Sequence, residues 1–195
     1  MLKPALHNRP LWFWQRSQRQ GLYAPFRAGH SSLFRLFEST CTWVRPPTET
    51  AMVIGLRDPY ERFCSQWHMI LHGKPHDPVT AKLLQGLRGC GVQAAQNYLE
   101  QVFPVFEAWR GNHHYTSQST GIQHLLDNPA DYTVQYIHIT QWPAWLNKHL
   151  GIHNYRIENH IPTDYQLQFE SLRPVIKKVF AQDYDLINSL DINTV

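Results

Sequence analysis

"MVIGLRDPYERFCSQW", residues Met52 to Trp67, joins an unbroken apolar run to Arg-Asp-Pro and then to a pattern of a different period. Extended upstream as "TETAMVIGL", the run reads as a strand buried on both faces, the kind found inside parallel sheets. Asp58 is a good helix N-cap, Pro59 takes the favoured first helical position, and Glu61 completes a capping-box spacing. Tyr60, Phe63, Cys64, Trp67, Ile70 and Leu71 follow at helical spacing, and Gly73 is the expected stop. A buried strand that turns directly into a helix is half of an α/β unit.

The flanking sequence extends this alternation. Upstream, "GLYAPFR" reads as a short strand, and "AGHSSLFRLFES" as a loop opening into a helix with Leu33, Phe34, Leu36 and Phe37. Downstream, a helical block from Val92 to Trp109 is expected to bend or break near Pro104. "YTVQYIHIT" is a further strand, and Thr140 with Pro143 opens a helix that Gly151 stops. "NYRIE" reads as a short strand, and "ESLRPVIKKVFAQDYDLINSL" as one or two closing helices. The aromatic stretch up to about residue 20 is expected to pack as an arm or short helix. Together these imply an α/β fold, a mainly parallel central sheet flanked by helices, as one domain over 1–195 with residues 1–20 as its arm.

The bulk numbers fit a globular chain. Of 195 residues, 43% are hydrophobic, 13% aromatic and only 17% charged, which argues against disorder. The net charge of +3 agrees with an anionic ligand without requiring one. Cys41, Cys64 and Cys90 are far apart and in no CxxC spacing, so they read as reduced thiols and give a cytoplasmic expectation. The N-terminal stretch makes a poor signal peptide, and no apolar run reaches the roughly 18 residues of a membrane span. Twelve histidines include the pairs His68/His72 and His72/His76, but HExxH and any tight Cys/His cluster are missing, so no metal is expected. A nucleic-acid partner is not expected either.

Two segments at predicted strand ends carry the chemistry, since ligands of parallel sheets sit outside the carboxyl ends of the strands. The first is "RAGHSS", Arg27 to Ser32. Ala28 and Gly29 let the backbone approach an anion, His30, Ser31 and Ser32 offer donors, and the next helix points its N–H groups the same way. The GxxxxGK[ST] spacing is absent, which disfavours an NTPase loop or kinase. The second segment is the opening stretch itself. Arg57 lies at the strand's end with a fork suited to bidentate phosphate binding, and Ser65 lies about two turns along the helix. From the residues alone, a small-residue turn, an Arg57 pairing with Asp58 or Glu61, and a Ser65 that caps a carbonyl stay open beside a split site for two phosphates.

"RAGHSS" followed by "RDPYERFCS" resembles the sulfotransferases that use 3'-phosphoadenosine 5'-phosphosulfate (PAPS). Their second motif, Arg-[Asp/Asn]-Pro-x-x-Arg-x-x-Ser, is matched at Arg57, Asp58, Pro59, Arg62 and Ser65. "HHYTSQS" is similar to the His-x-x-x-Gln element of the carbohydrate-type branch, and "IENHIP" and "VIKKVFAQDYDLI" to its closing segments. The likeness runs from about Tyr23 to Leu190.

The resemblance implies the P-loop-like sulfotransferase fold, with PAPS as co-substrate and a hydroxyl acceptor on a carbohydrate or glycoconjugate. It implies that Arg27 to Ser32 hold the 5'-phosphosulfate, and that Arg57 and Ser65 hold the 3'-phosphate. Arg27 stands where most members have lysine; it supplies charge to the leaving oxygen but is a poor proton donor. His114 is implied as the base, with His113 its near competitor, Gln118 as an acceptor-orienting residue and Asn159 as a contact to nucleotide or substrate. Trp67, Trp109, Trp142 and Trp145 read as core packing rather than sugar-stacking faces. A catalytically silent nucleotide-binding module on the same scaffold is the alternative.

Overall fold

A computed structural model describes residues 12–15, 20–25, 30–37, 41–42, 49–72, 78–85, 87, 91–109, 114–155 and 161–189. The chain gathers into two compact units. One holds residues 9–57, 118–158 and 186–195; the other holds 1–8, 58–117 and 159–185.

The first unit is built on a sheet. Its strands are β1 (Trp12–Gln15), β2 (Gln20–Tyr23), β3 (Cys41–Thr42), β4 (Thr50–Leu56) and β5 (Tyr132–His138), in the spatial order β3-β1-β2-β4-β5. β2, β4 and β5 are parallel, as the continuous apolar run in β4 predicts. β1 and β3 extend the sheet antiparallel on the β2 side. The stretch expected as an arm or short helix therefore contributes a strand. Paired Phe13 to Leu22 and Gln15 to Gln20, β1 covers a β2 edge whose backbone groups would otherwise lack ladder partners.

Side chains alternate across this sheet with the period of two that a strand imposes. Leu22, Val53 and Ile137 face α1 (His30–Phe37) and α7 (Trp142–Leu150) through Leu33, Phe37, Trp142, Trp145 and Leu146. On the opposite face, Tyr23, Met52, Ile54, Leu56 and Tyr132 meet Ile122 and Leu125 of α6 (Gln118–Asp127), with Leu186 and Ile187 alongside. Gly55 belongs to the first face. A Cβ there would come within 2.2 Å of Trp142 Nε1, so only glycine lets the indole lie against β4. β5 runs into a 3-10 turn over Ile139–Gln141, whose entry is capped by His138 and Gln141. α7 ends at Gly151, the expected stop, with φ 66°, a left-handed conformation that glycine adopts readily. Of "NYRIE", Asn154 and Tyr155 form no strand, and 156–158 lie outside the described residues.

The second unit is helical. It contains α2 (Pro59–His72), α3 (Pro78–Leu83), α4 (Val92–Asn97), α5 (Phe103–Trp109), α8 (Thr163–Leu167) and α9 (Arg173–Val179). The first half of α10 (Ala181–Ser189) also belongs to it. Tyr60, Phe63, Cys64, Trp67 and Ile70 of α2 form a core with Tyr98, Leu99, Phe103, Phe106, Tyr115, Phe169, Ile176 and Phe180. The expected irregularity before Pro104 is a π turn over Tyr98–Val102, in which the Phe103 N–H reaches back to Tyr98 O. Among the described residues, no helix is long and apolar enough to cross a membrane.

Candidate functional site

In the sheet unit, β2 and β4 are neighbours and parallel, with Tyr23 opposite Ile54. The chain leaves β2 toward α1, and it leaves β4 at Arg57. The two segments singled out from the sequence thus follow the carboxyl ends of adjacent parallel strands. Arg27, Ala28 and Gly29 lie outside the described residues. His30 opens α1, Ser31 on its first turn is exposed, and Ser32 is buried. Arg57 is buried, with 6% of its surface exposed.

The main chain of Arg57 is held by one side chain. Its N–H donates to Gln118 Oε1 at 2.9 Å, and Gln118 Nε2 donates to its carbonyl at 2.8 Å. Gln118 is the first residue of α6 and is fully buried. A primary amide presents an acceptor and a donor side by side, and a strand residue presents its N–H and C=O toward the same side. Gln118 therefore completes the strand for one residue beyond Leu56, where pairing with β5 ends at His138. The acceptor-orienting role remains an expectation of the resemblance; the position observed for this amide is at Arg57.

In the helical unit, Asp58 caps α2 as expected: Asp58 Oδ1 accepts from Glu61 N–H at 3.0 Å, and its carbonyl accepts from Arg62 N–H at 2.9 Å. α2 is buried on more than one face, with Arg62, Ser65 and Gln66 enclosed as well as its apolar residues. Two of these polar residues hold the segment 114–117. Arg62 Nη2 donates to Thr116 O at 2.6 Å, and Gln66 Nε2 donates to His114 O at 2.8 Å. Glu107 on α5 accepts from both the N–H and the hydroxyl of Ser117, at 2.8 and 2.5 Å. Tyr115 stacks on Phe106 with centroids 4.6 Å apart. The backbone that carries His114 is therefore tied to α2, and the segment continues through Glu107 and Phe106 to α5.

Of the remaining candidates, Ser65 is buried on α2, while His113 and Asn159 lie outside the described residues. Trp67 and Trp142 are fully buried and Trp145 nearly so, in keeping with core packing. Trp109 is only partly buried, against the core around Phe106. The His68 and His72 rings lie tilted at 48° with centroids 4.5 Å apart, and His68 and Tyr165 meet edge to face. Among the described residues, no group of three or more His, Cys, Asp or Glu could hold a metal ion. Sequence reasoning missed Gln66, Glu107 and the Gln118–Arg57 pairing. Arg62 and Gln66 had left a signal, as polar residues four apart interleaved with the apolar Phe63, Cys64 and Trp67.

No family model, curated protein or solved structure matched the chain when it was compared with each.

Proposed function

We propose that this protein is a sulfotransferase with the P-loop-like sulfotransferase fold, moving the sulfuryl group of PAPS to a hydroxyl of a carbohydrate or glycoconjugate. One observation supports this most: β2 and β4 are adjacent and parallel, and from their carboxyl ends the chain goes on to α1, which opens with His30 to Ser32, and to Arg57, the region where such sheets bind ligands. A nucleotide carrying phosphates at both its 3' and 5' positions suits two anion-binding segments that follow neighbouring strands. Arg57 serves the 3'-phosphate with its guanidinium fork, and the loop before α1 serves the 5'-phosphosulfate with main-chain N–H groups and Ser31 or Ser32.

The acceptor oxygen attacks sulfur in line as the adenosine bisphosphate leaves. Alignment and cationic stabilisation of the leaving oxygen carry most of the catalysis, and Arg27 supplies the charge. A neutral imidazole, assigned to His114, takes the hydroxyl proton. His114→Ala is then expected to lower turnover by roughly a hundredfold or more, within the usual range for a general base, with donor affinity unchanged in calorimetry. Normal turnover in that variant removes the assignment. A cytoplasmic location, expected from three cysteines without disulfide spacing, is part of the same proposal.

The test has two steps. Isothermal titration with 3'-phosphoadenosine 5'-phosphate and with ATP is expected to show preference for the bisphosphate. Labelled sulfate from PAPS is then expected to appear on members of a sugar panel. Binding without transfer across the panel favours the silent module, and preference for ATP overturns both readings.

A further inference from the structure

Gln118 has a physical assignment that its place in a His-x-x-x-Gln element does not supply. Its side chain is fully buried, and both ends of its amide are spent on the main chain of one residue, Arg57. A buried N–H and C=O need partners, and β4 provides no further pairing with β5 beyond Leu56. Gln118 supplies both partners at the residue whose side chain carries the proposed phosphate contact. Their separation of 61 positions along the chain makes this a tertiary clamp rather than a local turn.

We infer that Gln118 is a positioning residue for the donor nucleotide: by fixing the Arg57 backbone it sets the direction of the guanidinium toward a 3'-phosphate. This rests on the function proposed above. The amide bonds the main chain of Arg57 at both its oxygen and its nitrogen, so its effect on the donor is read through that residue. A bidentate contact requires the fork to arrive in the plane of the phosphate oxygens, and a pivot at the Cα spoils that alignment.

Replacing Gln118 by glutamate separates positioning from mere filling of space. The introduced carboxyl, when protonated, offers the same acceptor and donor as the amide. When ionised it has acceptors only and faces the Arg57 carbonyl with a like partial charge. Burial raises the pKa of such a group, so the switch is expected above the ordinary glutamate range. Affinities for 3'-phosphoadenosine 5'-phosphate and adenosine 5'-monophosphate are measured by titration for wild type and Gln118→Glu at several pH values. Dividing variant by wild type at each pH removes the ligand's own ionisation.

The expected result is a selective loss of bisphosphate affinity, roughly tenfold at about pH 8 and recovering toward wild type at about pH 5. In an Arg57→Ala background the same substitution is expected to change bisphosphate affinity by less than about twofold, because the group it acts through is gone. Gln118→Asn, too short to span both groups, replaces the charged variant if that one does not fold at the higher pH; its selective loss is expected at every pH.

Equal losses for both nucleotides, or a loss that persists in full without Arg57, overturns the positioning role while leaving the sulfotransferase reading in place. Failure of the wild type itself to prefer the bisphosphate overturns that reading, and the inference falls with it.

Discussion

At the scale of single residues, the account rests on a few positions where one atom decides the outcome. Gly55 is the clearest, because the Trp142 indole occupies the space a Cβ would take. Gly55→Ala is expected to destabilise by about 1–3 kcal/mol through overpacking, seen as a lower denaturant midpoint at unchanged slope. Asp58→Ala removes the cap that receives the Glu61 N–H and is expected to cost about 1 kcal/mol by the same measurement. These two residues differ in how far the sequence exposes them. Asp58, Pro59 and Glu61 form a local pattern whose physics is complete within four residues. The need for glycine at 55 depends on a tryptophan 87 positions away (142 − 55), and the Arg57–Gln118 clamp on a partner 61 positions away. Local chemistry is readable; partners brought by the fold are not.

At the scale of elements, the same division holds. β4, α2, β5, α7 and the two closing helices α9 and α10 follow from hydrophobic period, caps and glycine stops. β1 did not follow, because a strand of four residues reading Trp-Phe-Trp-Gln lacks alternation and is defined by its pairing to β2. Between α4 and α5 the proline signal was read correctly but its result is milder than a break. The proline ring at 104 crowds the carbonyl four residues back, and a π turn widens the helix there. The segment 114–117 is an element of another kind, held by Arg62, Gln66 and Glu107. Glu107→Ala leaves the Ser117 N–H and hydroxyl without that carboxylate. Amide exchange at Ser117 is expected to quicken by roughly tenfold or more, with about 1–3 kcal/mol lost in stability. Unchanged exchange at Ser117 means that the carboxylate does not hold the segment.

At the scale of the whole molecule, the helical unit concentrates buried phenols. Burial holds Tyr98, Tyr60 and Tyr165 above the ordinary tyrosine value and pushes Tyr184 up to about 12. Below pH 10 folded and unfolded chains both keep these protons. Above it the unfolded chain loses them first, so stability is expected to fall from about pH 10 upward, through about pH 12 for Tyr184. Denaturation midpoints across that range check the sign; a midpoint that rises with pH there contradicts it. The proposed function also belongs to this scale, because it rests on β2 and β4 being adjacent and parallel, so that their carboxyl ends lie side by side. Titration of wild type and Arg57→Ala with 3'-phosphoadenosine 5'-phosphate and with adenosine 5'-monophosphate tests that claim most directly. The account predicts a loss of roughly ten- to hundredfold for the bisphosphate and little change for the monophosphate; equal losses for the two nucleotides contradict it.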